Sequence, residues 1–332
     1  MGINSPQVSI CIPVFRDIEN HLFKEQITRC LKSIFIQKYE DYEVIITDDT
    51  VDNSGEIIIN EIVKKHNCAE NLKYFKNNER KGSPENWNEA IRLASGNYIK
   101  ILHQDDWLFD ENSLNHFVRL LDENLKVSFA FCSSAIYDLS YRYVGKYSPS
   151  RRYFNIIKRN PDNLFFYNLI GAPSATIYKR ELNLEFDPQM KWLVDVDFYI
   201  RLLVKNNGEY KYDSSTLIST QTSPSQITAS VKKDKNVNLY EHFYLYNKLV
   251  ERGSHNHTFF FKCKSFILFL ILFLYFDVER REEIISSGYQ GSIPKWVSIA
   301  LFLNASLRPI LKYLTRKYEK QLIYLKKLAL SI

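Results

Sequence analysis

An α/β fold that opens on parallel strands is predicted by three features of the chain. Apolar runs of strand length recur near its start, an amphipathic stretch separates the first two, and two of the runs end on adjacent aspartates. Val8 to Phe15 reads as the first strand, closed by Pro13 and followed by Arg16 and Asp17. A helix is expected from about Phe23 to Gln37. Tyr42 to Thr47 is the second strand-like run and delivers Asp48 and Asp49 ahead of the turn-forming residues Asp52, Asn53, Ser54 and Gly55. The order is therefore β-α-β with parallel strands. After Ala94, Ser95 and Gly96, the run Tyr98 to Leu102 forms a buried strand and hands over to His103, Gln104, Asp105 and Asp106.

Ligands of open α/β sheets collect at the carboxyl ends of strands, so both acidic pairs stand where chemistry is usually done. An aspartate after a strand also opens turns and caps helices, and one pair alone would carry little weight. Two strands ending in paired acids suggest a site for a metal and a phosphorylated ligand. Further on, Gly171 to Arg180 reads as small residues leading into a strand. Trp192 to Leu203 reads as a helix whose apolar face is Val196, Tyr199, Leu202 and Leu203, with Asp195 at its start and Asp197 turned away from it.

Composition excludes several classes. At 332 residues, 45% apolar and 25% charged, the chain can bury a sizeable core as one enlarged domain plus an appendage. Its five cysteines are scattered without C-x-x-C spacing, which argues against a disulfide framework and a zinc site. A dinucleotide-dependent oxidoreductase needs G-x-G-x-x-G after the first strand, where Pro13, Val14, Phe15 and Arg16 stand instead. The glycine-rich basic loop of nucleotidyltransferases is absent as well. No RNA-binding aromatic motif or zinc finger accompanies the basic residues, so nucleic acid is not an expected partner. The first strand follows Met1 almost at once, and Pro6 occupies the Ser/Thr position of a myristoylation signal, so a cytoplasmic active site is expected.

Charge is uneven. From Thr258 to Ile332 there are twelve Lys or Arg against five Asp or Glu, while the whole chain carries only +6. Ser265 to Phe276 is apolar throughout but shorter than the roughly 20 residues that span a bilayer. Trp296 to Leu307 is apolar, and Arg308 to Leu330 reads as a basic helix with Lys312, Arg316 and Lys320 on one face. Peripheral docking of this helical region on the inner face of a membrane is expected, against the plainer reading of a helical subdomain with a solvated basic face. The polar stretch Ser230 to Asn238 is expected to be the least ordered part of the chain.

Four blocks in sequence order resemble a known family: Ser9 to Phe15, Glu43 to Asp49, Asn78 to Gly82, and Ala94 to Asp106. Together they look like the successive blocks of a family 2 glycosyltransferase, over roughly residues 7 to 230. The resemblance implies a GT-A-type nucleotide-sugar-binding mixed sheet flanked by helices, here followed by a C-terminal helical, membrane-associating appendage. It implies a catalytic domain over 1–235, with a nucleotide-sugar half at 7–110 and an acceptor half at 111–235, and a basic, apolar region at 236–332. Transfer would be inverting and dependent on Mn²⁺ or Mg²⁺, moving a hexose or N-acetylhexosamine from a nucleotide diphosphate, UDP foremost, to a saccharide or lipid-linked acceptor of a cell-surface polysaccharide.

Carried over by position, Pro13 and Phe15 line the base pocket, Asp49 accepts a hydrogen bond from the base, Gly82 and Asn86 border the nucleotide, Asp105 lies near the ribose and Asp106 binds the metal. His103 stands where the family's D-x-D motif often begins, which moves the metal contact to Asp106. Asp195 falls on the general-base position, with Val194 in place of the usual glutamate. Ser174 and Trp192 are expected in the donor-sugar or acceptor pocket, and Thr222 is the nearest match to a histidine that relatives place near the diphosphate. The alternative is a catalytically impaired sugar-nucleotide-binding or scaffold protein of the same fold.

Overall fold

The computed structural model describes residues 5–17, 21–66, 70–222, 230–253 and 259–317. Chain contacts divide it into two compact units. The first comprises 1–149, 170–189 and 201–226, and the second 150–169, 190–200 and 227–332.

The first unit is built on a sheet of nine strands in the order β3-β2-β1-β4-β8-β6-β9-β5, with β7 hydrogen-bonded to β6. β1 (Val8–Val14), β2 (Tyr42–Asp48), β3 (Leu72–Lys76) and β4 (Tyr98–Ile101) run parallel. β5 (Trp107–Leu108), β6 (Phe129–Tyr137), β7 (Tyr143–Tyr147), β8 (Thr176–Lys179) and β9 (Lys211–Gln221) complete it, with β8 antiparallel to both β4 and β6. Every residue of β1 is buried, as expected of a parallel strand covered on both faces, whereas no residue of the edge strand β3 is.

Helices α1 (Phe23–Phe35), α2 (Ser54–His66), α3 (Glu85–Leu93) and α4 (Ser113–Asp122) cover the sheet. On α1 the residues Phe23, Ile27, Cys30, Leu31 and Ile34 are buried at helical spacing. At the amino ends of the strands, burial opposes ionisation of Glu43. Hydrogen bonds from Lys73, Ser9 and Ser95 outweigh it and hold that carboxyl at about 2. A Cβ at Gly96 would lie 2.7 Å from the Ser9 amide nitrogen, so only glycine permits this approach.

The second unit holds α5 (Phe154–Arg159), α7 (Lys235–Glu251), α8 (Phe259–Phe276), α9 (Arg281–Ser286) and α10 (Trp296–Lys317). α6 (Val194–Lys205) contributes its residues to Ile200 here and the rest to the first unit. The apolar run of α8 is consumed by packing: Leu268, Phe269, Leu272 and Phe273 are buried, with Phe269 ring to ring at 4.4 Å from Phe243 and 5.4 Å from Trp296. No helix among the described residues is long and apolar enough to cross a membrane. Trp296 to Lys317 is one helix rather than two segments, and the rest of the expected basic helix lies outside the described residues. The polar stretch expected to be mobile is ordered in its latter part. The Asp234 carboxylate caps α7 by accepting from the Val237 amide at 3.0 Å, and Asn238 is buried.

Candidate active site

Two neighbouring aspartates at the end of β2 do different work. Asp48 points inward, fully buried, and accepts from the Tyr74 hydroxyl at 2.6 Å and the Thr50 amide at 2.7 Å. Asp49 faces the next loop and accepts three hydrogen bonds, from the Gly82 amide at 2.6 Å, the Lys81 amide at 3.1 Å and the Asn77 side chain at 2.6 Å. A carboxylate offers about four lone-pair sites, so one remains for a ligand N–H. Gly82 sits at φ +75°, the left-handed region where glycine carries no Cβ penalty, and so turns its N–H toward Asp49.

Asn86 locks this end of the sheet. Its side-chain amide donates to the Val14 carbonyl at 3.1 Å and the Thr47 carbonyl at 3.2 Å, and its oxygen accepts from Asn77 at 2.9 Å. Pro13 is buried within β1 opposite Thr47. Phe15, only partly buried, is clamped by Gln104, whose side chain accepts from the Phe15 amide at 2.8 Å and donates to its carbonyl at 3.0 Å. The Arg80 guanidinium lies 4.1 Å from the Phe15 ring centroid, an aromatic and cationic surface next to Lys81, whose amide donates to Asp49.

At the end of β4 the chain turns sharply, the Asp106 amide donating to the His103 carbonyl at 3.0 Å. Asp105 is partly exposed and Asp106 is buried. Burial first, and then the charge of Asp105, push the Asp106 carboxyl well above the usual range, against hydrogen bonds from the Ser174 hydroxyl and the Gln221 amide and the charge of Lys100. Ser174 is fully buried and also accepts from the His103 amide at 3.0 Å, so its hydroxyl braces the acidic turn. His103 stacks on Trp87 with centroids 4.7 Å apart, and burial lowers its pKa, leaving a neutral ring packed inward. Lys100 is wholly buried, donates to the Ile101 carbonyl at 3.0 Å and to the Ser174 carbonyl, and is drawn down to about 8 by burial.

Among the described residues no group of three or more His, Cys, Asp or Glu side chains could hold a metal unaided. The donor set nevertheless fits a hard cation shared with a ligand. Mg²⁺ in nucleotide sites commonly takes one or two carboxylates with phosphate oxygens and water. A buried carboxyl such as Asp106, raised by desolvation and by Asp105, is the kind of group that a bound cation would return to its ionised form.

The second unit presents Asp195 in the first turn of α6. Its carboxylate accepts from the Asn168 side chain and from the Val196 amide, both at 2.8 Å. Burial nevertheless raises its pKa to about 7, with the Glu241 charge a smaller contribution in the same direction. Glu241, on α7, accepts from the amides of Lys191, Trp192 and Leu193 and thereby closes the helix that carries Asp195. Trp192 is half-buried and held through this backbone contact. Asp197 is buried against Lys248 at 2.8 Å, which assigns it to an ion pair. Thr222 bonds to the Tyr137 carbonyl, and 223–228 lie outside the described residues.

The residues around the candidate site that sequence reasoning missed are Asn77, Gln104, Lys100, Asn168 and Glu241. Only Lys100 left a signal, as a lone cation inside the apolar run Tyr98 to Leu102.

A mixed sheet flanked by helices is the architecture of a GT-A-type protein, and the solved structures that this chain resembles share that fold. The sequence model of glycosyl transferase family 2 matches residues 9–186, and the chain belongs to that family. It is 26% identical over 214 residues to an uncharacterized protein of Mycobacterium tuberculosis, an alignment covering 60% of this chain and 63% of that protein. It is 28% identical over 251 residues to the putative colanic acid biosynthesis glycosyl transferase WcaA of Escherichia coli, covering 74% and 82%. Among solved structures, residues 1–349 of S. aureus TarS with UDP-GlcNAc align at 18% identity and TM-score 0.60 over 92% of this chain and 86% of that one. The mannosyltransferase PcManGT of Pyrobaculum calidifontis with GDP-Man and Mn²⁺ aligns at 16% identity and TM-score 0.60 over 99% and 86%.

Proposed function

We propose that this protein is an inverting, divalent-metal-dependent glycosyltransferase that moves a sugar from a nucleotide diphosphate, UDP foremost, to a saccharide or lipid-linked acceptor in cell-surface polysaccharide assembly. The observation that carries the reading is the Asp105–Asp106 turn at the end of β4, inside the residues that match the family. The nucleotide-sugar complexes of two structural neighbours and the colanic acid relative support it.

In this reading Phe15 and Arg80 flank the base, the remaining acceptor site of Asp49 takes a base N–H, and Gly82 and Asn86 shape the loop beside it. Asp105 would face the ribose, and Asp106 would hold Mn²⁺ or Mg²⁺ together with the donor's diphosphate. The ion would neutralise the diphosphate and make it a better leaving group. Asp195 removes the proton from the acceptor hydroxyl as its oxygen attacks. A carboxyl titrating near 7 is matched to that task, since about half of it is ionised at neutral pH and that form is basic enough to accept the proton. Asp197 is spoken for by Lys248 and takes no part.

The protein is further proposed to act at the inner membrane surface. Exposed Phe260, Ile267 and Tyr275 on α8 and Ile299 and Phe302 on α10 supply apolar side chains beside a basic surplus. The test is a panel of UDP-, GDP- and dTDP-sugars incubated with oligosaccharide and lipid-linked acceptors in Mn²⁺, Mg²⁺ or EDTA. Product anomers are read by NMR. Metal-dependent transfer with inverted configuration is expected; retention of configuration, or donor binding with no turnover on any acceptor, would overturn the reading.

A further inference from the structure

An aromatic surface adjoins the acidic turn and takes no part in the chemistry above. Trp107, immediately after Asp106, lies 5.1 Å from the Tyr137 ring and 5.9 Å from Tyr141, and Tyr137 lies 5.9 Å from Tyr143. The Arg29 guanidinium covers Tyr141 at 3.4 Å and Trp107 at 5.2 Å. Its Nε and the Tyr141 hydroxyl are buried with no hydrogen-bond partner among the described residues. The Arg29 guanidinium lies 4.0 Å from the Glu25 carboxylate. The hairpin between β6 and β7 carries the remaining exposed apolar area, with Tyr143 60%, Val144 56% and Leu139 38% exposed.

The hairpin is held in place. Asp138 accepts from the amides of Ser140 and Arg142 and from the Arg142 guanidinium, and Tyr141 is fixed at φ +55°. Single exposed apolar residues are ordinary on any surface, but here exposed side chains adjoin a four-ring cluster, three rings from this hairpin and Trp107 from β5.

Sheet order separates this surface from the residues proposed to hold the nucleotide. Asp49 and Phe15 follow β2 and β1, on one side of β4, whereas Trp107 and Tyr137 belong to β5 and β6 on the other side. The rings therefore lie across the acidic turn from the groups proposed to hold the nucleotide. The exposed ring of Tyr143 beside the other three aromatic side chains suits the apolar C–H face of a pyranose.

We propose that Trp107, Tyr137, Tyr141 and Tyr143, steadied by Arg29, form a saccharide-binding platform that holds the acceptor chain beside Asp106. Its description as an acceptor site rests on the transferase reading, whereas the glycan binding does not. The test uses the full chain on an array of defined gluco-, galacto-, manno-, rhamno- and N-acetylglucosamine oligosaccharides, with titration of UDP as control. Wild type is expected to retain at least one oligosaccharide class, and Trp107→Ala and Tyr143→Ala to weaken it tenfold or more while UDP affinity stays within twofold. Tyr143 is largely exposed, so its variant tests the platform without threatening the fold. No oligosaccharide retained by wild type, or equal retention by both variants, overturns the proposal. Ring-dependent glycan binding without consumption of any sugar nucleotide would uphold the platform and remove the transferase reading. Transfer with an acceptor KM unchanged in both variants would do the reverse.

Discussion

Asp49 in the first unit and Asp195 in the second are the same side chain in contrasting settings. Asp49 is buried, yet three N–H donors converge on its carboxylate, so its charge is tied to backbone and holds a loop. Asp195 has one side-chain donor and the turn of its own helix, too little to offset burial, and it titrates near 7. Satisfied hydrogen bonds make a carboxylate a fixed anchor; incomplete satisfaction makes it a proton acceptor.

Exchanging functional groups at these two positions tests that contrast, and the largest effect is expected at the base. Asp195→Asn should lower kcat/KM for transfer by about 10²- to 10⁴-fold, the usual span for a general base. Its stability should change in the opposite sense. A carboxyl whose folded pKa is raised contributes stability that is full below its unfolded value and lost as pH climbs through 7. The variant should therefore melt higher than wild type at pH 8 and show no such advantage at pH 4, as calorimetry would reveal.

Asp49→Asn should act mainly on the loop. The amide cannot accept at both of its heteroatoms, so an N–H of Lys81 or Gly82 loses its partner, at about 1–3 kcal/mol in urea unfolding. UDP affinity should fall with it. A stability change below about 0.5 kcal/mol would mean that Asp49 is not the anchor, since changes of that size are usual for surface substitutions remote from such features.

A smaller shift is expected from Asn168→Ala. Its amide donates to the ionised form of Asp195, so its loss should move the acidic limb of the pH profile upward. An unmoved limb would mean that burial alone sets the value. The smallest effect belongs to Gly82→Ala, where open space surrounds the new Cβ and only the φ of +75° resists it, at about 1 kcal/mol.

The strands that carry the site were legible because each apolar run was the length of a strand and stopped on a polar turn. β1, β2 and β4 begin where those runs begin, and α1 starts at Phe23 as its spacing required. Paired acids marked the right turns but not the division of labour within them. Asp48 and Asp49 are chemically identical neighbours, and only the partners Tyr74, Lys81 and Gly82 distinguish them. The supports of Asp195 were hidden for a related reason. Asn168 reaches it, and Glu241 reaches the amides just before it, across loops whose closure no local periodicity encodes. The apolar run ending at Phe276 was ambiguous between membrane and core until Phe243 and Trp296 packed on it, because a buried helix and a lipid-facing one share a composition.

The pH dependence of transfer tests the central claim most directly, measured as kcat/KM from pH 5 to 9 for wild type and Asp195→Asn. The account predicts a wild-type rate that climbs with pH, bends near 7 and then levels, with that bend absent from the residual activity of the variant. A flat wild-type profile, or a bend that survives in Asp195→Asn, would contradict it.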